Sequence, residues 1–333
     1  LLQFRRIMVH FKQLDNGIRL IVKEMSGLMS VSMGIIVGTG ACVESDSEDG
    51  ISHFIEHMLF KGTKKRTAFQ ISDRMDAIGA QVNAFTSKDI TCYYAKSTSN
   101  HAAEAFEVLS DLFLNSVFPE EELKREKGVV VEEISMNEDT PDDLCLDLLS
   151  KAFFGEENYG RNILGSKKNV KGFTREDIQA YMKDRYTADN IVISMAGNIS
   201  VALAEELVCK YFSQVPSVKV QKRALNVNLK SKNLYKSKDI EQMHIAIAYP
   251  SMKRYEKLCD ATQIMNAVLG GSMSSRLFQT VREELGLAYT VYSYVTTYEQ
   301  SGALTVYAGV NAEHYMKSKK KKKKCIGNLR KKD

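Results

Sequence analysis

Several residue types and patterns are scarce in this sequence, and their scarcity narrows the classes of protein that it can represent. The 333 residues include no tryptophan, and no apolar run reaches the roughly 20 residues that span a bilayer, so we expect no membrane-spanning helix. The six cysteines form no Cys-x-x-Cys pair, which favours reduced thiols in a cytoplasmic protein over a disulfide framework. The basic start, residues 1–8, lacks the apolar segment of a signal peptide.

Charge is unevenly distributed along the chain. The net charge is +5, but residues 317–333 contain ten Lys or Arg and one Asp, so the remainder of the chain carries −4. This acidic body gives no sign of nucleic-acid binding. The lysine run at 319–324 is typical of a solvated, disordered end, and binding to nucleic acid or an anionic membrane is the less favoured alternative. We therefore predict neither a nucleic-acid partner nor a membrane partner.

Length and composition predict two domains. A chain of 333 residues is longer than an ordinary single domain. With 44% hydrophobic and 26% charged residues, it has the balance of a globular protein with a sizeable core. The polar, Lys-rich stretch 214–238 is interpreted as a linker. We predict a first domain over 1–213 and a second over 239–333, which ends in the Lys-rich tail 317–333.

Strand and helix patterns recur in both halves in a similar order. Asp15-Asn16-Gly17 between two strand-like runs predicts a hairpin, and Thr174-x-x-Asp177 resembles a capping box at the start of a helix. Further strands are predicted near 31–37, 81–86, 91–96, 191–196, 244–249, 288–296 and 303–310, and helices near 50–62, 70–78, 101–115, after 119 and up to 186. Their irregular alternation predicts α+β layers rather than a parallel sheet.

The most informative motif is His53-Phe54-Ile55-Glu56-His57. Helical residues four apart lie on one face, so His53 and His57 can bind one cation while Glu56 takes a proton from water, as a zinc hydrolase requires. The order His-x-x-Glu-His is the inverzincin signature. The alternative is an amphipathic helix with two histidines at the edge of the core. It is less favoured, because the pair surrounds a glutamate in a chain with six histidines.

A catalytic zinc site usually has three protein ligands, so a third must come from elsewhere in the chain. Glu126 and Glu133 are seven residues apart and lie on nearly the same helical face, whereas Glu132 points away. The apolar residues between them predict a largely buried helix, where a carboxylate needs a cation or a partner. Taken alone, however, a solvated acidic helix is the better interpretation of these glutamates.

With these motifs the chain resembles the pitrilysin/insulinase-type zinc metallopeptidases, in the branch of the mitochondrial processing peptidase β-subunit and its bacterial homologues. The resemblance covers about residues 8–312, and residues 53–63, HFIEHMLFKGT, are similar to the active-site helix of the family. It implies one zinc ion per chain with three ligands: His53, His57 and Glu133. It also implies that Glu56 is the catalytic base and that Glu126 assists the site.

Two further segments carry the resemblance. Residues 79–86 are similar to the family's edge strand, which pairs with the substrate backbone by β-augmentation. The substrate-binding residues that this implies are Asn83, Ala84 and Phe85. Residues 270–278, GGSMSSRLF, and the segment that follows imply that Arg282 and Tyr289 contact the substrate near the scissile bond. Arg282 would bind a peptide carbonyl or carboxylate, and Tyr289 would donate a hydrogen bond to the developing oxyanion.

For the fold, the resemblance implies two similar α+β domains arranged as a clamshell, each a mostly antiparallel sheet backed by helices. The zinc site would lie on the first domain and face the second. Family members of this type usually continue with further helices and strands after the position of Val310, whereas this chain enters its lysine run. The second domain is therefore expected to be truncated.

The leading prediction is a zinc-dependent metalloendopeptidase that cleaves peptides or unfolded segments with metal-activated water. Two alternatives remain open: a non-catalytic partner subunit, and an inactive truncated fragment of such a peptidase. Partner subunits of this family usually lack motif residues, whereas all of the motif residues named above are present here. The predicted partners are a peptide or unfolded polypeptide substrate and a second chain in a homodimer or heterodimer.

Overall fold

A computed structural model of the chain describes residues 9–220, 225 and 227–311, so the predicted tail 317–333 and the basic start lie outside the described residues. The chain divides into two compact units. Unit 1 comprises the described residues of Leu1–Ile134 and Asn162–Ala224, and unit 2 comprises those of Ser135–Arg161 and Leu225–Asp333. Segment 135–161 thus groups with the later part of the chain, whereas the sequence placed it within 1–213. The domain boundaries 1–213, 214–238 and 239–333 stay a prediction.

Unit 1 is built on one six-stranded sheet. Its strands are β1 (His10–Gln13), β2 (Arg19–Glu24), β3 (Ser30–Val37), β4 (Gln81–Thr86), β5 (Thr91–Thr98) and β6 (Ile191–Gly197). Their order in the sheet is β1-β2-β6-β3-β5-β4. β6 is inserted between β2 and β3, parallel to β2 and antiparallel to β3, and the other neighbours are antiparallel. The prediction of a mostly antiparallel sheet is confirmed.

Seven helices have residues in unit 1: α1 (Ile51–Leu59), α2 (Ala68–Ala77), α3 (Ala102–Asn115), α4 (Glu120–Asp139), α6 (Lys167–Gly172), α7 (Arg175–Arg185) and α8 (Val201–Phe212). Thr174 and Asp177 form the predicted capping box at the start of α7, and Thr67 and Gln70 form a second one before α2. One large apolar core joins these helices to the sheet; among its fully buried members are Leu20, Ile35, Phe54 and Phe106. Burial of the apolar face of α1, which includes Phe54, holds this helix on the sheet.

Unit 2 has a three-stranded antiparallel sheet of β7 (Met243–Pro250), β8 (Ala288–Thr297) and β9 (Gly302–Val310), in the order β7-β9-β8. Its helices are α5 (Pro141–Phe154), α9 (Cys259–Leu269) and a π-helical segment, Phe278–Glu284. A separate apolar core includes Leu269, Val281 and Val306. The rings of Tyr159 and Tyr298 stack at a centroid distance of 4.3 Å.

The predicted elements and the observed ones agree in most places. The hairpin at Asp15-Asn16-Gly17 joins β1 to β2, with Gly17 at a φ of +104°. The sequence analysis did not predict α5, α6 or α8, which lie in stretches that carried no motif. The described residues of 214–238 form no helix or strand. None of the helices in the described parts of the chain is long and apolar enough to cross a membrane.

Candidate metal centre and active site

The start of α1 is fixed by a glycine and a buried carboxylate. Gly50 has a φ of +93°, and a Cβ at this position would lie 2.7 Å from the carbonyl oxygen of Leu164. Glu44 accepts hydrogen bonds from the backbone N–H groups of Gly50 (2.8 Å) and Ser52 (2.9 Å). It thereby satisfies donors that the first turn of a helix leaves free. Burial raises the pKa of Glu44 to about 7, although these hydrogen bonds oppose the shift.

His53 and His57 lie on one face of α1, and their ring centroids are 4.6 Å apart. His53 is 7% exposed, whereas 22% of the side chain of His57 is exposed. Phe54, Ile55 and Met58 on the same helix are fully buried. Because these apolar side chains fix the rotation of α1 about its axis, the two imidazoles are held toward α4.

α4 presents two carboxylates to the imidazoles. Oε2 of Glu133 lies 3.5 Å from Nε2 of His57 and 3.7 Å from Nε2 of His53. Two helical turns earlier, Oε1 of Glu126 lies 2.8 Å from Nδ1 of His57. Glu132 is exposed to solvent. As the helical spacing in the sequence predicts, Glu126 and Glu133 therefore face the histidines and Glu132 does not.

His53, His57 and Glu133, called the metal cluster from here on, offer three ligand atoms that all lie within 4.8 Å of one another. Separations of 3.5 and 3.7 Å are too long for ordinary hydrogen bonds. They are close to the ~3.4 Å expected between two ligands that each lie ~2.1 Å from a tetrahedral zinc ion. Two imidazole nitrogens and one carboxylate oxygen are also the donors of known catalytic zinc sites. The cluster therefore fits zinc.

Glu126 orients one of the two imidazoles. Because an ionised carboxylate only accepts hydrogen bonds, Nδ1 of His57 carries the donated proton, and Nε2 is left to bind a metal. Glu126 is 4% exposed, and its other oxygen, Oε2, lies 2.7 Å from Nζ of Lys61. His53 differs, since its buried Nδ1 has no hydrogen-bond partner among the described residues.

The pKa values of the two histidines shift in opposite directions. Burial, aided by the neighbouring His57, lowers the pKa of His53 to about 4. Burial also lowers the pKa of His57, but the carboxylates of Glu126 and Glu133 outweigh it and raise this pKa to about 9. The adjacent His57 in turn lowers the pKa of Glu133. In the absence of a metal, His57 is therefore protonated at neutral pH, and a bound cation would replace that proton.

Glu56 lies between the two histidines on α1 and contacts the end of β4. Its Oε2 accepts a hydrogen bond of 2.6 Å from Oγ1 of Thr86. Burial raises the pKa of Glu56, although the hydrogen bond from Thr86 opposes the shift. A carboxylate with a raised pKa beside a candidate metal site has the properties of a general base.

β4 lies at one end of the sheet, so one of its edges pairs with no strand of the described chain. Asn83 and Phe85 are exposed and Ala84 is half-buried. The ring of Phe85 lies 6.3 Å from that of Tyr94. The side chain of Asn83 accepts a hydrogen bond of 2.8 Å from the N–H of Ala84. This local bond occupies the N–H of Ala84.

Arg282 and Tyr289, called the arginine–tyrosine pair, contact each other in unit 2. The guanidinium of Arg282 lies 4.8 Å from the ring centroid of Tyr289 and 4.7 Å from that of Phe278. Both distances are within the range of cation–π interactions. Tyr289 is 74% exposed. Within unit 1 the structure brings together the predicted metal ligands, and within unit 2 it brings together Arg282 and Tyr289. The roles of these residues toward a substrate stay predictions.

Sequence reasoning missed three residues that support the site: Glu44, Lys61 and Thr86. Lys61 and Thr86 lie within recognised motifs, but nothing in the sequence indicated their partners, because a strand end and a helix end meet only in the folded chain. Glu44 precedes α1 by seven residues. This spacing is outside the range at which a capping residue is recognised from sequence.

Comparison with known proteins agrees with this arrangement. The family model described as "Insulinase (Peptidase family M16)" matches residues 20–167, and the one described as "Peptidase M16 inactive domain" matches residues 172–333. The chain is 20% identical to the peptidase M16 inactive domain from Pseudomonas fluorescens, with a TM-score of 0.88 over 96% of this chain and 79% of that one. For a protease from Helicobacter pylori the identity is also 20% and the TM-score 0.87, over 97% and 79% of the two chains.

Two bacterial relatives are similar along most of the sequence. The chain is 46% identical to the uncharacterized zinc protease YmxG of Bacillus subtilis (strain 168), over 90% of this chain and 73% of that protein. It is 37% identical to an uncharacterized zinc protease of Rickettsia felis, over the same shares of the two chains. The chain belongs to the insulinase family of peptidases, family M16.

Proposed function

We propose that this protein is a zinc-dependent metalloendopeptidase that hydrolyses peptide bonds in peptides or unfolded segments. The observation that carries the proposal is the convergence of three ligand atoms within 4.8 Å at the metal cluster, with Glu56 on the same helix. The names of the bacterial relatives, which describe zinc proteases, support zinc as the metal.

Each side chain of the site has a distinct task in this proposal. The metal cluster would hold the ion through Nε2 of His53, Nε2 of His57 and a carboxylate oxygen of Glu133. When bound, zinc supplies Lewis-acid chemistry, since it polarises a carbonyl and makes water more acidic. Glu56 would take a proton from the attacking water, and the hydrogen bond from Thr86 to its Oε2 would hold the carboxylate in place. The raised pKa of Glu56 helps it to keep that proton until the leaving amine needs it.

The substrate would bind in an extended conformation. The unpaired edge of β4 offers backbone groups to a peptide by β-augmentation, which makes little demand on its sequence. Asn83, Ala84 and Phe85 would line this edge. From unit 2, Arg282 would bind a substrate carbonyl or carboxylate and Tyr289 would donate a hydrogen bond to the developing oxyanion.

A non-catalytic role is the alternative. The family model that matches residues 172–333 is described as an inactive domain. The metal cluster and Glu56 all lie within residues 20–167, which the insulinase model matches, so that description concerns the half of the chain without the candidate metal site. A partner chain, a processing-peptidase type of activity and a cytoplasmic location stay predictions.

The test is to separate metal binding from turnover with Glu56→Gln. Gln cannot accept the proton, so we expect hydrolysis of a quenched fluorescent peptide to fall by ~10²–10⁴-fold. Zinc content, measured on the purified protein by atomic emission, should stay at the wild-type level because Glu56 is outside the metal cluster. The exposed residue Glu132 provides the control, since Glu132→Gln makes the same chemical change on a neighbouring helix.

Three results would contradict the proposal. Turnover by Glu56→Gln at the wild-type rate would remove the base assignment. A wild-type protein that binds zinc without cleaving any peptide would favour the non-catalytic alternative. A wild-type protein that binds no zinc would exclude both the zinc peptidase and a non-catalytic protein that binds zinc.

A further inference from the structure

The carboxylate of Glu126 is shared between two basic groups. Its Oε1 lies 2.8 Å from Nδ1 of His57, and its Oε2 lies 2.7 Å from Nζ of Lys61. Glu126 is 4% exposed, and a buried carboxylate is stable only where partners replace its water. Lys61 therefore binds the carboxylate oxygen of Glu126 that His57 leaves free.

The position of Lys61 follows from the end of α1. Lys61 is four residues after His57, and its N–H donates to the carbonyl of Met58 at 3.1 Å, so it continues the face of the helix that carries His57. A cation at a helix C-terminus is also favoured by the helix dipole. Gly62, with a φ of +122°, then turns the chain away.

The turn after Lys61 is held by contacts that do not involve the Lys61 side chain. Oγ1 of Thr63 donates to Asp111 at 2.8 Å. Arg66 contacts Asp111 at 2.8 Å and Glu107 at 2.6 Å. Asp111 is buried, at 3% exposed. Because α3 anchors the turn through these residues, replacing the Lys61 side chain should leave the path of the backbone unchanged.

We propose that Lys61 is a positioning residue that holds the Glu126 carboxylate against His57 and thereby keeps Nε2 of His57 directed at the metal cluster. The inference deepens the proposed function and rests on it. With Lys61 in place, the Glu126 carboxylate is clamped at both oxygens and cannot turn about its terminal bond. Without it, one buried oxygen loses its partner, and the carboxylate gains alternatives to the bond with His57.

A purely structural ion pair is the competing explanation, since 27% of the Lys61 side chain is exposed and many partly exposed pairs contribute little. The two explanations differ in the property that each predicts will change. A positioning residue changes the zinc affinity, and only while Glu126 holds His57. A structural ion pair with Glu126 stabilises the fold, so its loss lowers the midpoint of thermal unfolding and leaves the zinc affinity of the folded protein unchanged.

The experiment measures zinc affinity of the full chain by competition with a chromophoric chelator. For Lys61→Met we expect ~10-fold weaker zinc binding, at the lower end of the ~10–100-fold loss typical of outer residues that orient a metal ligand. Lys64→Met is the matched control. Lys64 is exposed and has no ion pair among the described residues, so its variant should bind zinc within about twofold of wild type.

A double-mutant cycle then identifies the route. Glu126→Gln alone should weaken zinc binding, and adding Lys61→Met in that background should change it by less than about twofold. Lys61→Arg, which keeps a cation, should restore most of the wild-type affinity. If Lys61→Met folds poorly, Lys61→Ala removes the same donor with a shorter side chain and carries the same expectation.

The outcomes separate this inference from the proposed function. Wild-type protein that binds zinc, together with a Lys61→Met variant that binds it equally well, would overturn the positioning role alone. Losses that multiply in the double variant would also overturn it, because Lys61 would then act independently of Glu126. Wild-type protein without measurable zinc affinity would overturn the proposed function and, with it, this inference.

Discussion

The metal cluster of unit 1 and the arginine–tyrosine pair of unit 2 are held in different ways. His53 is 7% exposed, and Glu126, which orients His57, is 4% exposed, whereas Tyr289 is 74% exposed. The first set belongs to two helices whose apolar faces enter a large core. The second is held by stacking of Arg282 on Phe278 and Tyr289.

This difference matches the two proposed tasks, which are holding a metal ion and contacting a peptide. Holding an ion requires ligand atoms to stay within a few tenths of an ångström, and only side chains locked by packing and outer hydrogen bonds do so. Contacting a peptide requires groups that solvent, and therefore substrate, can reach. The contrast predicts that substitutions in the first set change metal affinity, whereas those in the second change turnover alone.

The largest effect is expected for Glu133→Ala. It removes one of the three ligands of the metal cluster, and we expect zinc affinity to fall by at least ~1,000-fold, more than the ~10–100-fold typical of outer residues. Glu132→Ala, one position away on the exposed side of α4, should keep the wild-type affinity. The measurement is chelator competition, and the reverse ranking of the two variants would mean that α4 presents its other side to the histidines.

The next effect concerns Tyr289→Phe, which keeps the ring that Arg282 contacts and removes only the hydroxyl. Loss of one oxyanion donor typically costs ~10²–10³ in kcat, so we expect a fall of ~100-fold with zinc content unchanged. Tyr255→Phe is the control, since Tyr255 is 88% exposed. Turnover by Tyr289→Phe at the wild-type rate would show that the hydroxyl has no part in catalysis. It would also contradict the expectation that substitutions in the arginine–tyrosine pair lower turnover.

Acidity should affect zinc binding through one imidazole only. The pKa of His57 is raised to about 9 and that of His53 is lowered to about 4. Zinc binding at pH 7 should therefore release about one proton, and affinity should fall by up to ~10-fold for each pH unit below 9. Calorimetric titration in two buffers with different ionisation enthalpies measures the number of protons that are released when zinc binds. Release of no proton would show that His57 is already neutral before zinc binds.

The same shift affects the stability of the metal-free protein. A histidine with a pKa raised from 6.5 to about 9 contributes stability that is fully present below pH 6.5 and is lost as the pH rises through 9. Thermal unfolding of chelator-treated protein should accordingly show a lower midpoint at pH 9 than at pH 6.5. Addition of zinc should reduce this dependence, because the metal replaces the proton.

The smallest effect is expected at the edge of β4. Phe85 is 46% exposed, and Phe85→Ala would remove an apolar contact of about 1 kcal/mol with a bound peptide, or about fivefold in KM. Phe69→Ala is the matched control, because Phe69 lies on α2 and is 76% exposed. Peptide hydrolysis over a range of substrate concentrations gives the value. An unchanged KM would show that the substrate leaves this ring uncovered.

The sequence predicted contacts between residues that are close along the chain, and it predicted few contacts between residues that are far apart along it. His53 and His57 are one helical turn apart, and Glu126 and Glu133 two turns apart, so helix geometry alone placed each pair on one face. That α4 meets α1 was expected only from the family resemblance. The bond between Thr86 and Glu56 joins a strand end to a helix, and no local pattern contains that information.

The fold shows the same division. The hairpin at Asp15-Asn16-Gly17 was predictable because the dipeptide Asn-Gly favours a tight turn between two strands. Pairing of β2 with β6 joins Arg19 to Val192, and nothing near either strand specifies it. α5 was not predicted, although Thr140 followed by Pro141 is a recognisable helix start. Within it, leucine recurs at every second position over 144–148, a period typical of a strand, which obscured the period of a helix.

Insertion of β6 into the middle of the sheet affects when the metal cluster can form during synthesis. His53, His57 and Glu133 all precede residues 191–197 in the chain, yet β2 and β3 cannot become part of one sheet until β6 lies between them. Contacts so distant along the chain form slowly, and until then two strand edges remain open to other chains. A nascent chain that ended before β6 would thus contain every residue of the metal cluster without the continuous sheet on which α1 packs.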